Sequence, residues 1–333
     1  MQNKADKAIL TNSKVLVTGG AGFIGSNLIE KLISQDNHVK CLDDFSTGKM
    51  RNIEQFLGHP NFALIEGDIR NLDTCMFACK DVDIVLHQAA LGSVPRSIKD
   101  PVTTNQVNID GFLNMLVASR DNNVKRFVYA ASSSTYGDSA ELPKVEEKIG
   151  NPLSPYAITK YVNELYAKVF GNLYGLETIG LRYFNVFGKN QNPDGAYAAV
   201  FPKFIKALIN HEAPLIHGDG TQSRDFTYIA NVVQANELAA TTTNKDAINT
   251  VFNIAYGENN SLNDLTERLI SRLSVYDPEI ANIKPVYGPE RTGDIKDSLA
   301  SVEKAMRILE YNPKYDVHKG LEIAIEWYYN DLK

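Results

Sequence analysis

The run Val15-Leu-Val-Thr-Gly-Gly-Ala-Gly-Phe-Ile-Gly25, continued by a helical stretch and then by Val39-Lys-Cys-Leu-Asp-Asp44, decides the fold. It reads as a short apolar strand, a glycine-rich turn, a helix and a second strand. Gly19, Gly22 and Gly25 recur at three-residue spacing. Without a Cβ at these places the backbone can turn tightly and let a pyrophosphate come close. The helix N-terminus then turns its unpaired N–H groups toward the negative charge. Ile24, Leu28, Ile29, Leu32 and Ile33 recur at the spacing of one helix face. The second strand ends in Asp43, 18 residues after Gly25, where a carboxylate meets the adenine ribose hydroxyls of a dinucleotide. That carboxylate disfavours a 2′-phosphate, so NAD rather than NADP is the expected cofactor.

Working outward, the 333 residues suit one large domain or two intimately joined ones, and a 44% apolar composition is ample for a packed core. The net charge of −6 comes with no basic block or tail, which argues against a nucleic-acid partner. Any anionic ligand must then be held by a few local arginines. Cys41, Cys75 and Cys79 read as reduced thiols of a cytoplasmic protein. Cys75 and Cys79 share a helix face, but no histidine or further cysteine pair completes a metal site, so none is expected. Met1–Ser13 has neither the pattern of a signal peptide nor that of an anchor, and no apolar run is long enough to span a membrane.

Strand and helix patterns alternate along most of the chain. Strands are expected at Phe62–Ile65, Asp83–Leu86, Arg126–Ala131, Thr178–Leu181 and Val251–Ile254, with helices that include Asn105–Arg120 and Tyr156–Tyr174. Such alternation implies an α/β fold with a doubly wound parallel sheet of the Rossmann kind. The strands are apolar runs, as in a sheet covered on both faces. Small and polar residues gather just after the strand ends: Asp68, Gln88, Ala89, Ala90, Ser132 and Asn185. In a doubly wound sheet that edge is where ligands bind. The cofactor domain is expected to span residues 14–188 and about 229–258. Residues 189–228 and 259–333 form a smaller C-terminal α/β substrate lobe built from two excursions, with Pro193-Asp194-Gly195 as a turn.

Tyr156-Ala-Ile-Thr-Lys160 opens a helix, and residues four apart share a helical face. A lysine ammonium beside a phenol lowers the phenol's pKa by charge attraction, and a bound nicotinamide cation would lower it further. Tyr156 is thereby the expected general base, with Ser132 able to hydrogen-bond the same substrate oxygen.

Four motifs together resemble the extended short-chain dehydrogenase/reductases: Thr18–Gly25, Ser132-Ser133-Ser134-Thr135-Tyr136-Gly137, Tyr156-x-x-x-Lys160 and Arg182-Tyr183-Phe184-Asn185. Within these, the chain is similar to the NAD-dependent nucleotide-sugar 4-epimerases, over nearly its whole length from about Lys14. Gln88–Ser97 and Gly195-Ala-Tyr-Ala-Ala199 resemble the subgroup acting on UDP-N-acetylhexosamines for surface-polysaccharide precursors. The resemblance makes Tyr156 the acid/base. Lys160 would hold the nicotinamide ribose and Ser132 would be the catalytic serine, with Ser133 and Ser134 lining the sugar pocket. It places Phe23, Ile24, Asp44, Ser46, Gly48, Ile69, Asn108, Tyr183 and Val186 around NAD, beside the residues named above. It places Gly92, Ser93, Asn185, Gln191, Ala199, Val200 and Lys203 around the substrate. Arg224 and Arg291 would grip the diphosphate as bidentate forks, and Asp294 would meet the uridine ribose. Ser298 falls at the gate position, where a tyrosine shuts out an N-acetyl group and a small residue admits it.

The mechanism this resemblance implies is a redox loop. Tyr156 takes the C4 hydroxyl proton while hydride leaves C4 for NAD. The 4-keto sugar swings over, and hydride returns to its other face. A 4,6-dehydratase needs an acid pair after the catalytic serine, where this chain has Ser133 and Ser134. Epimerisation of UDP-glucose or of a UDP-hexuronic acid keeps the same core, with Arg96 or Lys203 available to a C6 carboxylate. A non-catalytic NAD sensor would be expected to lack Tyr156 or Lys160. The family's homodimer joins the helices at Asn105–Arg120 and Tyr156–Tyr174.

Overall fold

The computed structural model describes residues 10–192, 200–290 and 297–333. Pro193–Ala199, Arg291 and Asp294, named above, lie outside the described residues. Seven strands form one parallel sheet: β1 (Lys14–Thr18), β2 (His38–Asp43), β3 (Phe62–Glu66), β4 (Ile84–His87), β5 (Arg126–Ser132), β6 (Glu177–Tyr183) and β7 (Thr250–Ile254). Their order is β7-β6-β5-β4-β1-β2-β3. The chain therefore winds outward from β1 to β3, returns to β4 on the other side of β1, and winds outward again. The crevice at that reversal is the expected ligand position.

The apolar strand runs are covered on both faces. In β1, Val15 and Val17 enter one apolar cluster and Leu16 the other. Helices α1 (Phe23–Ile33) and α6 (Ile229–Thr241) cover the first face, with Leu28, Ile29, Leu32 and Val232 buried. Helices α2 (Leu72–Cys79), α3 (Gly111–Asp121) and α4 (Pro155–Tyr174) cover the second, with Cys75, Cys79, Phe112, Leu116 and Phe170 buried. The helix expected at Asn105–Arg120 starts earlier, because Asp100 caps Thr103 N at 3.1 Å and Pro101 follows at the first helical position. It then passes through a π-turn, Gln106–Asp110, before α3. Ser154 caps α4 in the same way through Ala157 N, with Pro155 behind it, and Gly175 ends α4 in the left-handed region at φ 72°.

The two C-terminal excursions are stitched to each other. Leu215–His217 pairs in parallel with Val286–Gly288. Ser223–Arg224 lies between Asn260–Ser261 and Asp297–Ser298. Helices α5 (Val200–Ile209), α7 (Leu262–Leu273) and α8 (Val317–Leu332) pack over them. Phe201, Phe204, Leu265, Leu269, Leu321 and Tyr328 belong to the same apolar cluster as Val15 and Leu181. One core thus runs through the sheet and these C-terminal segments. Across their border, Phe187 and Phe201 stack 4.2 Å apart.

Candidate active site

The glycines of the first turn are there because nothing larger fits. A Cβ on Gly25 would lie 2.1 Å from Gly19 O, and one on Gly19, whose φ is +66°, would lie 2.7 Å from Ala89 N. Gly22 stands at the N-cap of α1 and contributes no side-chain cap, so the first N–H groups of that helix are left for a ligand. Gly19, Gly22, Phe23, Ile24, Gly25, Asp43, Asp44, Ser46, Ile69, Gln88, Ala89 and Ala90 line one cleft of about 260 Å³. Leu42, Thr47, Gly67, Leu91 and Val107, not singled out as cofactor residues from the sequence, line it too, as does Gly92, which was expected on the substrate side. Asp43 accepts from Ala21 N at 2.9 Å and from Phe45 N at 2.8 Å, and burial pushes its carboxyl upward. Asp44 beside it is exposed. A glycine cradle, an uncapped helix N-terminus and paired carboxylates at the end of β2 fit a dinucleotide with free ribose hydroxyls.

Other expected cofactor residues stand behind this wall. Asn108, in the π-turn and 1% exposed, accepts from Leu91 N at 2.8 Å and donates to Leu91 O and to Thr159 Oγ1. Its amide is committed to the loop that lines the cleft, so it shapes the cleft from outside. Gly48 is needed because a Cβ would come within 2.8 Å of Asp43 Oδ1. Asp68 is held by Arg70, which keeps its carboxyl below the usual range. Tyr183 is buried in a closed ring: its hydroxyl donates to Gln88 Oε1 at 3.2 Å, Gln88 Nε2 donates to Asn236 Oδ1 at 3.2 Å, and Asn236 Nδ2 donates to Tyr183 Oη at 2.9 Å. Burial pushes the Tyr183 phenol up to about 12. Val186 sits in the short strand Val186–Phe187, which pairs with Thr227–Tyr228, and its carbonyl accepts from Gln191 Nε2 at 2.9 Å. Thr18 Oγ1 accepts from Ala89 N at 3.2 Å and shares a second hydrogen bond with His87 Nδ1, 2.8 Å away. Burial holds that imidazole neutral, at about 3. These bonds of Asn236, His87 and Thr18 were not legible in the sequence because each partner is supplied by a distant strand or helix.

Tyr156 opens α4 opposite Ser132, the last residue of β5. Ser132 Oγ accepts from Ser134 N at 3.2 Å and from Ser134 Oγ at 2.9 Å. The Ser132 hydroxyl favours the ionised phenol as a hydrogen-bond partner, but burial outweighs it, and Tyr156 is pushed above the ordinary tyrosine value. The expected lowering by Lys160 is not found. The Lys160 ammonium, 3% exposed, donates to Ala130 O at 2.8 Å and stands 6.0 Å from the centre of the Tyr156 ring. Burial brings Lys160 itself down to about 8. The two residues do share a helix face; the burial of both groups, which governs their charge, comes from packing.

Among the residues expected around the substrate, Asn185 follows β6 with a left-handed φ of 30°, exposed, its amide donating to Asp225 O at 3.0 Å. Ser298 lies in register with Arg224, both half-buried. Asp225, 0% exposed, accepts from the backbone N–H groups of Tyr256, Gly257 and Ala300 at 3.2–3.3 Å, and burial pushes it up to about 7. This clamp seats the Arg224 strand on the end of β7. Ser93 caps a short helix, Val94–Lys99, through Arg96 N. Val200 and Lys203 start α5, with Lys203 exposed. Gln191 is 8% exposed, and its amide is used at both ends: it donates to Val186 O and accepts from the Tyr328 hydroxyl.

The family follows from comparison. Residues 15–255 match the model of the NAD dependent epimerase/dehydratase family. The chain belongs to this family. It is similar to UDP-N-acetylglucosamine 4-epimerase of Methanobrevibacter ruminantium, solved with UDP-N-acetylmuramic acid. The two are 40% identical over 97% of this chain and 100% of that one, with a TM-score of 0.90. It is similar to UDP-glucose 4-epimerase of Thermotoga maritima, solved with UDP-glucose (35% identical, 96% and 99% covered, TM-score 0.87). It is also similar to UDP-glucuronic acid 4-epimerase of Bacillus cereus, solved with UDP-glucuronic acid and NAD (32% identical, 96% and 100% covered, TM-score 0.85).

Proposed function

We propose that this chain interconverts UDP-N-acetylglucosamine and UDP-N-acetylgalactosamine by inversion at C4. The broader activity, that of an NAD-dependent isomerase acting on UDP-sugars at C4, rests on the family and on the likeness to three such epimerases. The narrower substrate rests on one observation: Ser298, a small side chain, is the residue registered beside Arg224. A serine there leaves room for an acetamido group where a tyrosine would not.

NAD, when bound, supplies the acceptor and donor of the C4 hydride. Its phosphates would be held by the Gly19–Gly25 turn and the N-terminus of α1, and its adenine ribose by Asp43 and Asp44. Tyr156 takes the C4 hydroxyl proton and returns it after the sugar has turned. Ser132 hydrogen-bonds the same oxygen, and Arg224 holds the diphosphate so that the sugar alone moves. Because burial keeps the Tyr156 phenol protonated, kcat/KM is expected to rise with pH until the phenol ionises. We also assign the protein to the cytoplasm, in keeping with its three free, buried cysteines, and to a homodimer.

The test is to incubate the purified protein, without added cofactor, with UDP-GlcNAc, UDP-Glc and UDP-GlcNAcA, and to separate the 4-epimers. Conversion of UDP-GlcNAc as the fastest of the three is expected. A faster uronic acid or glucose substrate would move the substrate assignment, and no epimer from any of them would overturn the reading.

A further inference from the structure

We infer that Ser134 is a positioning residue that sets the direction in which Ser132 donates its proton; this rests on the catalytic reading of Tyr156 and Ser132. The argument is a count of hydrogen-bonding capacity. A serine hydroxyl has two lone pairs and one proton. Ser132 caps the turn Ser133–Tyr136, and in doing so accepts from Ser134 N at 3.2 Å. The Ser134 hydroxyl lies 2.9 Å from the same oxygen and donates to it. Both lone pairs of Ser132 are then filled by one neighbour. The only thing Ser132 can still offer the cleft is its proton.

A preset donor is what this chemistry needs. When Tyr156 is a phenolate, the group facing it must donate. When the C4 oxygen is losing its proton, or has become a carbonyl, the group beside it must again donate. If Ser134 instead received the Ser132 proton, Ser132 would face the cleft as an acceptor, favouring the neutral phenol and repelling a carbonyl oxygen. Ser134 decides between these two states without touching the C4 oxygen. It does so from a fixed backbone position, because its own N–H holds the turn closed. The Ser132 hydroxyl is the side-chain hydrogen-bond partner that favours the ionised Tyr156 phenol, so a proton donated by Ser132 is aimed at the base itself.

Three proteins test this: wild type, Ser134→Ala and Ser134→Thr, each carrying NAD. Ionisation of Tyr156 is read as the tyrosinate absorbance difference against a Tyr156→Phe version of the same protein. This requires no turnover, so it stands apart from the choice of substrate. In Ser134→Ala the Tyr156 titration is expected to move to higher pH. The acid limb of kcat/KM should move with it, and kcat near neutrality should fall roughly tenfold, the worth of one hydrogen bond to a charged group. KM for the UDP-sugar should change little. Ser134→Thr, which keeps the hydroxyl, should restore both titration and rate. A Ser134→Ala protein that folds and retains NAD, yet shows an unmoved Tyr156 titration, would overturn the inference. A raised KM with an unshifted pH profile would also overturn it, making Ser134 a substrate contact. Failure of wild type to epimerise any UDP-sugar would count against the proposed function and leave the titration arm to decide this one.

Discussion

Tyr156 and Lys160 fall one helical turn apart because they stand four positions apart in the chain, and that much is local enough to read from it. Their charge states are not local. The phenol is raised and the ammonium lowered by the burial that β5, β6 and the turn after β5 impose on them. Tyr156→Phe is expected to reduce epimerisation by about 10²–10⁴-fold, the usual contribution of a placed acid/base. It should leave NAD content unchanged, since Tyr156 is not part of the glycine cleft. Retained turnover would remove Tyr156 from the base role. At the other end of the substrate, Ser298→Tyr should spare UDP-glucose and abolish UDP-GlcNAc conversion, and equal rates on UDP-GlcNAc would refute the gate. Gln191 shows what reading residues one at a time leaves out. An amide near a predicted pocket looks free until α8 brings the Tyr328 hydroxyl to its oxygen.

Among elements, the strands and their order of appearance were legible because buried parallel strands are short apolar runs bounded by small polar residues. The π-turn at Gln106–Asp110 was not, since α and π turns draw on the same residues. The glycine turn can be tested directly. Gly25→Ala drives a methyl against Gly19 O, and overpacking of this kind costs about 1–3 kcal/mol. Loss of retained NAD and a lower Tm are expected, read by cofactor release on denaturation and by calorimetry. A Gly25→Ala protein that keeps its full complement of NAD would refute the close approach. Strand β6 carries a second element-scale device. Arg182 holds Glu164 of α4 through two bonds of 2.9 and 2.7 Å, both side chains under a tenth exposed, and donates to Glu146 O. Arg182→Met would strand the Glu164 charge. A loss of about 3–5 kcal/mol in urea unfolding is expected, and the double variant with Glu164→Leu should recover much of it.

For the molecule as a whole, the surface of α4 is the telling region. Ile158, Leu165, Val169 and Leu173 are each about half exposed or more, and Val102 and Ile98 add to them from the helices alongside. An apolar stripe of this length asks for cover, and in the proposed homodimer a second copy of the chain would supply it. The sequence suggested this face on α4. Alongside the helix at Asn105–Arg120 the exposed large apolar residues stand earlier, at Val94, Ile98 and Val102. Leu165→Asp with Val169→Asp is expected to yield monomers by light scattering, and an unchanged mass would place the dimer contact elsewhere. Stability should also fall in acid. His87, neutral and buried between Phe112 and Phe127, titrates at about 3 in the fold against about 6.5 unfolded. The unfolded chain therefore binds more protons between these values, and stability drops as pH falls from 6.5, by about 2 kcal/mol at pH 5. Asp225, raised to about 7, acts in the opposite sense, its contribution fading as pH rises toward 7. Comparing urea midpoints of wild type and His87→Asn at pH 5 and 7 separates the two, and equal slopes would acquit His87.

The ring of Gln88, Tyr183 and Asn236 has a sense of rotation. Asn236 gives one amide N–H to Val232 O at 2.8 Å, so its other N–H has to point at Tyr183 and its oxygen at Gln88. From there every proton around the ring is assigned, and reversing any of them would require an amide flip that sets the Asn236 oxygen against the Val232 carbonyl. A loop of bonds with a single permitted circulation has no orientational freedom left to surrender. The wall it forms behind the cleft is therefore already ordered before a nucleotide arrives, and binding against it should carry little entropic penalty from that side.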